Sequence, residues 1–226
     1  MIKIAIDGFS GSGKGELAEG IAKKLNLKHL DTGAIFRAIA IAFIEANIEN
    51  PTEEIAEEFV KNINVKVEFD ENKQKVILND KDITPGLRQE AVSKMSSKVS
   101  ALKPVREKYL NVVKDFANNY DCIIDGRDIT SIVLPDADVK IFLDADEKVR
   151  AERRYKENVE KNIKCTYEEV LANLQERDYR DSHRDIAPLI IVEDAVVVDN
   201  SNMSIQETID YCLKIINEKL KANNKL

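Results

Sequence analysis

A chain of 226 residues with 43% hydrophobic, 33% charged and 6% aromatic residues carries enough apolar surface for one substantial core and no compositional sign of disorder. Its net charge of −7 supplies no global basic field for nucleic acid, so any anion site must be built from a local cluster. Three scattered cysteines (Cys122, Cys165, Cys212) and two histidines (His29, His183) argue for a reducing, cytoplasmic setting and against a disulfide framework, a zinc site or a Ser-His-Asp triad.

Ile2 to Ile6 reads as a short buried strand, entered directly with no signal peptide, and no apolar run along the chain is long enough to span a membrane. Lys14 to Leu25 has helical spacing, with Leu17, Ile21 and Leu25 on one face. His29-Leu30 ends a second short strand. Asp31-Thr32-Gly33 forms a turn and cap before a helix running to about Ala46, and a polar helix follows Asn50-Pro51-Thr52 to about Lys61. The period then changes. "VKVEF" and "QKVILND" alternate around the turn "DENK", so residues 64–84 are expected to form a β-hairpin with a third short strand and a small core of its own. Pro85 and Gly86 close this insert. Helices are expected over Leu87–Leu102 and Val105–Asn118, then strands at "CIIDG" and "VKIFLD". Charged helices follow at Glu147 to about Asn158 and Tyr167 to about Ile186, then a strand at "AVVVD" and a last helix. Thr166-x-x-Glu169 and Ser204-x-x-Glu207 have the form of capping boxes. Buried strands alternating with helices predict a parallel sheet covered on both faces, with ligands at the strands' carboxyl ends. The polar turns fall there: Gly8 to Lys14, Asp31 to Gly33, Asp125 to Asp128, and Asp144.

"IAIDGFSGSGKGE" places Gly8, Gly13 and Lys14 at the spacing of a phosphate-binding loop between a strand and a helix. Glycines there let backbone N–H groups turn inward around a phosphate, and the lysine reaches the outer phosphates. Gly15 and Glu16 follow where Ser or Thr would hold magnesium. Asp31 and Thr32 taken alone read as a helix cap, and "DGRD" as a turn with a surface ion pair. "RAERR" and "ERDYRDSHRD" read alone as solvated helix faces. The choice of basic residue favours function. The chain has 24 Lys and 10 Arg, and nine of the arginines fall in or near these turns and helices, Arg88 alone standing apart. A planar guanidinium fork suits oxyanions better than an ammonium does. Nine arginines and a lysine-bearing loop make the electrostatic clamp that phosphoryl transfer requires.

Six runs, "IAIDGFSGSGKG", "LDTGAIFRAIA", "SSKVSALKPVRE", "DGRDITSIVLPDADVKIFLDA", "RAERR" and "ERDYRDSHRDIAPL", resemble the bacterial cytidylate (CMP) kinases over almost the whole chain. The resemblance implies an α/β P-loop NTPase sandwich with a five-stranded parallel sheet: a kinase core at 1–63 and 85–226, an arginine-rich lid at about 150–187, and a β-rich CMP-side lobe at 64–84. It implies ATP-dependent phosphorylation of CMP and dCMP, with Mg2+ held mainly through phosphates and water. ATP would lie on Gly8, Phe9, Ser10, Gly11, Ser12, Gly13, Lys14, Gly15, Glu16 and Arg154. CMP would lie on Thr32, Arg37, Ser97, Arg106, Asp125, Arg127, Asp128, Arg177, Asp181 and Arg184. Lys14, Arg127, Asp128, Arg153, Arg177 and Arg184 would carry the transfer. No metal-ligating residue, nucleic acid or membrane is implied, and a monomer is expected. Phe9 replaces the family's usual proline, and Glu16 its usual phosphate-binding threonine. Two other readings remain at this point: a kinase for UMP or AMP, and a weakly active nucleotide-binding protein.

Overall fold

The computed structural model describes residues 1–70 and 73–225. The middle of the "DENK" turn lies outside the described residues. β1 (Lys3–Gly8) buries Ile4, Ala5 and Ile6 completely, as a continuous apolar run does when both sheet faces are covered. α1 (Lys14–Leu25) starts from Gly13, held in the left-handed region, and stops at Asn26, also left-handed, whose N–H bonds Ala22 O. β2 (Lys28–Asp31) and α2 (Thr32–Glu45) follow, then α3 (Glu53–Lys61), capped by Thr52 Oγ1 accepting from Ile55 N at 3.3 Å. β3 (Val65–Asp70), β4 (Lys73–Leu78) and the short β5 (Lys81–Asp82) form the predicted antiparallel sheet in that order. The helix expected from Leu87 is shorter. A 3-10 turn at Thr84–Gly86 interrupts the chain, and α4 (Glu90–Val99) begins only after it, with α5 (Lys103–Asn119) next.

β6 (Cys122–Gly126) leads into a π-helical turn at Ile129–Val133 that the sequence reading missed. The cause is Asp7, at the end of β1. Its buried carboxylate accepts Ile129 N at 3.0 Å, Thr130 N at 2.8 Å and Thr130 Oγ1 at 2.6 Å. These three bonds satisfy the donors at the start of the turn and set its wide winding. β7 (Val139–Asp144), α6 (Glu147–Glu160), α7 (Tyr167–His183), β8 (Val196–Asp199) and α8 (Ile205–Ala222) complete the chain. Both capping boxes form with both of their bonds, at Thr166/Glu169 and Ser204/Glu207.

The chain divides into two compact units, Met1–Leu27 with Cys122–Leu226, and Lys28–Asp121. In the first unit the strands run in the order β6-β1-β7-β8 and pair in parallel. Asp7 faces Gly126, Gly8 faces Leu143, and Asp144 faces Asp199. In-register parallel strands therefore release the glycine loop, the Arg127 turn, the start of α6 and the turn after β8 along one carboxyl edge. Beneath them lies a core of Ile4, Ile6, Leu17, Ile21, Ile141 and Leu143, closed by Ile209, Cys212 and Ile216 of α8. Burial pushes the Cys212 thiol up to about 12, which makes it a packing group rather than a nucleophile.

The second unit corrects one expectation. Among the described residues, the β3–β5 sheet turns its buried side chains Val65, Val76 and Leu78 toward α2 and α5, which pack on β3 and β4, rather than closing a separate core. Phe69 stacks on Phe116 of α5 with ring centroids 5.5 Å apart. Gln74 of β4 accepts from Asp31 N at 2.8 Å and donates to Asp31 O at 3.3 Å. A three-stranded sheet this small has one apolar face, and that face closes on the neighbouring helices.

Candidate nucleotide site

The glycine loop takes the form its sequence requires. Gly11 and Gly13 have φ of 75° and 89°, in the left-handed region that a side chain resists. At Gly8 a Cβ would stand 2.1 Å from Leu143 O of the adjacent strand, so only glycine fits. Successive amides can then face a common centre at the start of α1, whose positive end adds to the attraction for an anion. Lys14 is buried and its Nζ donates to Phe9 O at 2.9 Å across the loop. Burial holds its ammonium well below the usual lysine range, helped by the nearby charges of Arg127 and Arg177 and opposed by Asp125 and Asp181. Bringing a polyanion beside Lys14 reverses that balance and favours the charged form. Gly15 and Glu16 are exposed, and a Cβ at Gly15 would meet nothing within 4 Å. Ser12 Oγ is buried and makes no hydrogen bond.

Arginines surround this loop within the first unit. Arg127, just after β6, donates through Nε to Asp181 Oδ2 at 2.8 Å and through Nη2 to Ser10 Oγ at 3.0 Å. Arg184 sits beside the same carboxylate, 3.9 Å from Asp181 Oδ1, and donates to Ala187 O. Burial alone would raise the Asp181 carboxyl, but Arg127, Arg177 and Arg184 outweigh it and hold the group below the usual range. Asp7 shows the reverse balance: burial outweighs its hydrogen bonds and pushes its pKa up.

The three arginines of "RAERR" go to three different places. Arg150 is buried against the loop. Arg153 fastens the turn after β8, donating to Asn200 O at 2.8 Å, Asn200 Oδ1 at 3.1 Å and Met203 O at 3.3 Å. Asn200 in turn donates to Ser12 O at 3.0 Å. Arg154 is exposed and pairs with Glu157 at 2.7 Å.

Of the residues expected to hold CMP, Asp125, Arg127, Asp128, Arg177, Asp181 and Arg184 belong to the first unit, and Thr32, Arg37, Ser97 and Arg106 to the second. Within the second unit Asp31 makes no side-chain cap to α2. Its carboxylate pairs with Arg37 at 2.6 Å instead. Arg106 is buried and donates to Ser100 O at 3.1 Å, in the turn that follows Ser97. Its guanidinium lies 5.8 Å from the Phe36 ring centroid, and Phe36 stacks on Tyr109 at 4.3 Å. The sequence reading missed Asp7, Phe36, Asp178 and Asn200. Asp7 ends an apolar strand and Phe36 sits in an apolar helix, where neither gives a local signal. Asp178 lay within "ERDYRDSHRD" but was overshadowed by its arginines.

A glycine nest at a strand-to-helix turn, with a buried lysine and arginines converging on it, defines a P-loop phosphotransferase. The sequence narrows this further. The profile of the cytidylate kinase family matches residues 4–218, and the chain belongs to that family. A cytidylate kinase of Fusobacterium nucleatum is 42% identical over 97% of this chain and 99% of its own length. Those of Caldicellulosiruptor saccharolyticus (40% identical, 95% of each chain) and Aeromonas salmonicida (39%, 96% of this chain and 94% of its own) are comparable. Among solved structures, TT1252 of Thermus thermophilus shares the fold with a TM-score of 0.53 at 16% identity, covering 97% of both chains.

Proposed function

We propose that the protein is an ATP:CMP phosphotransferase, a reading carried by membership of the cytidylate kinase family from residue 4 to 218. The phosphate loop geometry supports it. A CMP phosphate oxygen attacks the γ-phosphorus of ATP in line. The bond from that phosphorus to the β–γ bridging oxygen breaks, and ADP leaves while CDP forms. No covalent enzyme intermediate is needed, so the protein's contribution is positioning and charge neutralisation. The loop amides and Lys14 hold the ATP phosphates. Arg127, Arg177 and Arg184 neutralise the transferring group. Asp125, Asp128 and Asp181 of the first unit and Thr32, Arg37, Ser97 and Arg106 of the second are assigned to CMP and dCMP in this reading.

Magnesium bound with ATP supplies charge neutralisation between the phosphates. The loop offers no hydroxyl after Lys14, so the ion would be held mainly through the phosphates and water. No helix among the described residues is long and apolar enough to cross a membrane.

A coupled assay of ADP release across CMP, dCMP, UMP, AMP and GMP tests the reading. CMP and dCMP should turn over far faster than AMP or GMP, because a site that hydrogen-bonds one base leaves its own groups unpaired with another. Turnover of AMP equal to that of CMP would overturn it.

A further inference from the structure

Every polar group of Ser10 is held by a different element. Its N–H donates to Asp178 Oδ1 of α7 at 3.0 Å. Its carbonyl accepts Arg150 Nη1 of α6 at 2.8 Å, and its hydroxyl accepts Arg127 Nη2 at 3.0 Å. Arg150 stands in the first turn of α6, directly after β7, and is 6% exposed. It also donates from Nε to Ala145 O at 2.9 Å and forms an ion pair with Asp178. Its guanidinium lies 5.2 Å from the Phe9 ring centroid, and Phe9 meets Phe142 of β7 edge-on at 5.6 Å. Arg150 is thereby fixed to the sheet and the loop. Asp178 belongs to α7, where Asp181 follows one turn later and pairs with Arg127.

We propose that Arg150 and Asp178 form a latch that holds α7 on the phosphate loop through the Ser10 peptide, and so positions Arg177 and Arg184 for the transfer. They are positioning residues, and the proposal rests on the phosphotransferase reading above. Three features support it. The latch uses the amide of Ser10, ahead of the left-handed glycines at Gly11 and Gly13, so it leaves the amides after them for phosphate. Arg150 is buried, and moving α7 away would remove its counter-ion and strip the Ser10 N–H of its acceptor together. Arg177 is the immediate neighbour of Asp178, and its charge acts on Lys14 and Asp181, so fastening Asp178 keeps that charge near the loop lysine.

Asp178→Asn is nearly isosteric, but it replaces one carboxylate oxygen by an NH2, so either Ser10 or Arg150 loses its acceptor. Arg150→Lys keeps the charge, but a single ammonium does not span two carbonyls and a carboxylate as the fork does. In the full chain, each should lower kcat at least about tenfold, while KM for ATP and for CMP moves less than about threefold. Native-state hydrogen exchange should show the Ser10 amide exchanging faster, with Ile4 to Ile6 of β1 still protected. Unchanged kcat with faster Ser10 exchange would overturn the proposal, and so would unchanged Ser10 exchange. Loss of β1 protection alongside lost activity would mark an ordinary core ion pair and overturn it too. Should one variant fail to fold, the other carries the same test. If the wild type phosphorylated none of the five monophosphates, the cytidylate reading would fail on its own, and Ser10 exchange would still decide whether the latch exists.

Discussion

Glu16 stands exposed in the first turn of α1, where two electrostatic effects of opposite sign meet. The positive end of the helix favours its carboxylate by about 0.3–1 kcal/mol. A bound triphosphate repels it: two unit charges about 5 Å apart at an effective dielectric of about 20 cost roughly 3 kcal/mol. Exposure lets the side chain rotate into water, and magnesium neutralises part of the phosphate charge, so only a fraction of that repulsion survives. Glu16→Thr should therefore raise kcat/KM for ATP by about threefold, roughly 0.7 kcal/mol, with KM for CMP nearly unchanged and the ligand-free protein no more stable. Steady-state kinetics with each substrate varied in turn checks this. Unchanged ATP kinetics would mean the carboxylate stays in solvent throughout the cycle, and reduced activity would mean that it assists the transfer. At this scale, the sequence showed which residues carry charge but not how each one is used. Arg150, Arg153 and Arg154 lie on one helical face, yet one is buried on Ser10, one clamps the turn after β8 and one pairs with Glu157 in solvent. Spacing sets the face of a helix, whereas the partners come from loops distant in sequence.

Among the elements, the β3–β5 sheet is where the structure changes an expectation with a measurable consequence. As a self-contained lobe, residues 64–84 could be removed and leave the rest folded. These residues instead bury Val65, Val76, Leu78 and Ile83, with β3 and β4 packed on α2 and α5, and Gln74 pairs with the backbone of Asp31. Each such apolar side chain contributes about 1.5–3 kcal/mol when buried, so removing four of them exceeds the whole stability of an ordinary domain, about 5–15 kcal/mol, at its lower end. Deleting 64–84 should unfold the second unit while leaving the first unit's sheet protected, as read by hydrogen exchange of β1 and β6 against α2 and α5. Uniform protection of α2 and α5 in the deleted protein would restore the separate lobe. The strands themselves were legible because alternation in "VKVEF" and "QKVILND" has a period of two, and the capping boxes were legible because they are local. The π-helical turn at Ile129–Val133 was not, because Asp7, whose carboxylate holds it, lies 122 residues away from Ile129. The start of α4 was misplaced for a related reason: apolar spacing continues through Leu87, but the 3-10 turn ahead of it bonds Leu87 N to Thr84 O.

For the molecule as a whole, the sign of the charge and the chemistry of the site point in opposite directions. A protein with net charge −7 repels anionic nucleotides at long range, yet the groups expected to bind them are arginines and a lysine. The strand-end placement of the phosphate loop was readable from alternating strands and helices. The separation between a negative exterior and a sheltered cationic site was not, because it depends on burial. Within the first unit, Arg150 and Lys14 are each under 10% exposed, and the side chains of Arg127 and Arg184 are 16% and 14% exposed. Salt screens exposed charges beyond a Debye length of about 10 Å at 0.1 M, and buried ones much less. Raising salt therefore weakens the long-range repulsion while leaving most of the attraction inside the site. An exposed basic channel would behave differently, losing its steering steeply with ionic strength. At fixed free magnesium, kcat/KM for CMP should stay within about threefold between about 0.05 M and 0.3 M potassium chloride, and any initial trend should be upward. Arg177 and Arg154 are exposed, and they set the modest decline expected at the upper end. A fall of about tenfold or more across that range would show that exposed arginines, rather than the sheltered set around Ser10 and Asp181, supply most of the attraction for substrate.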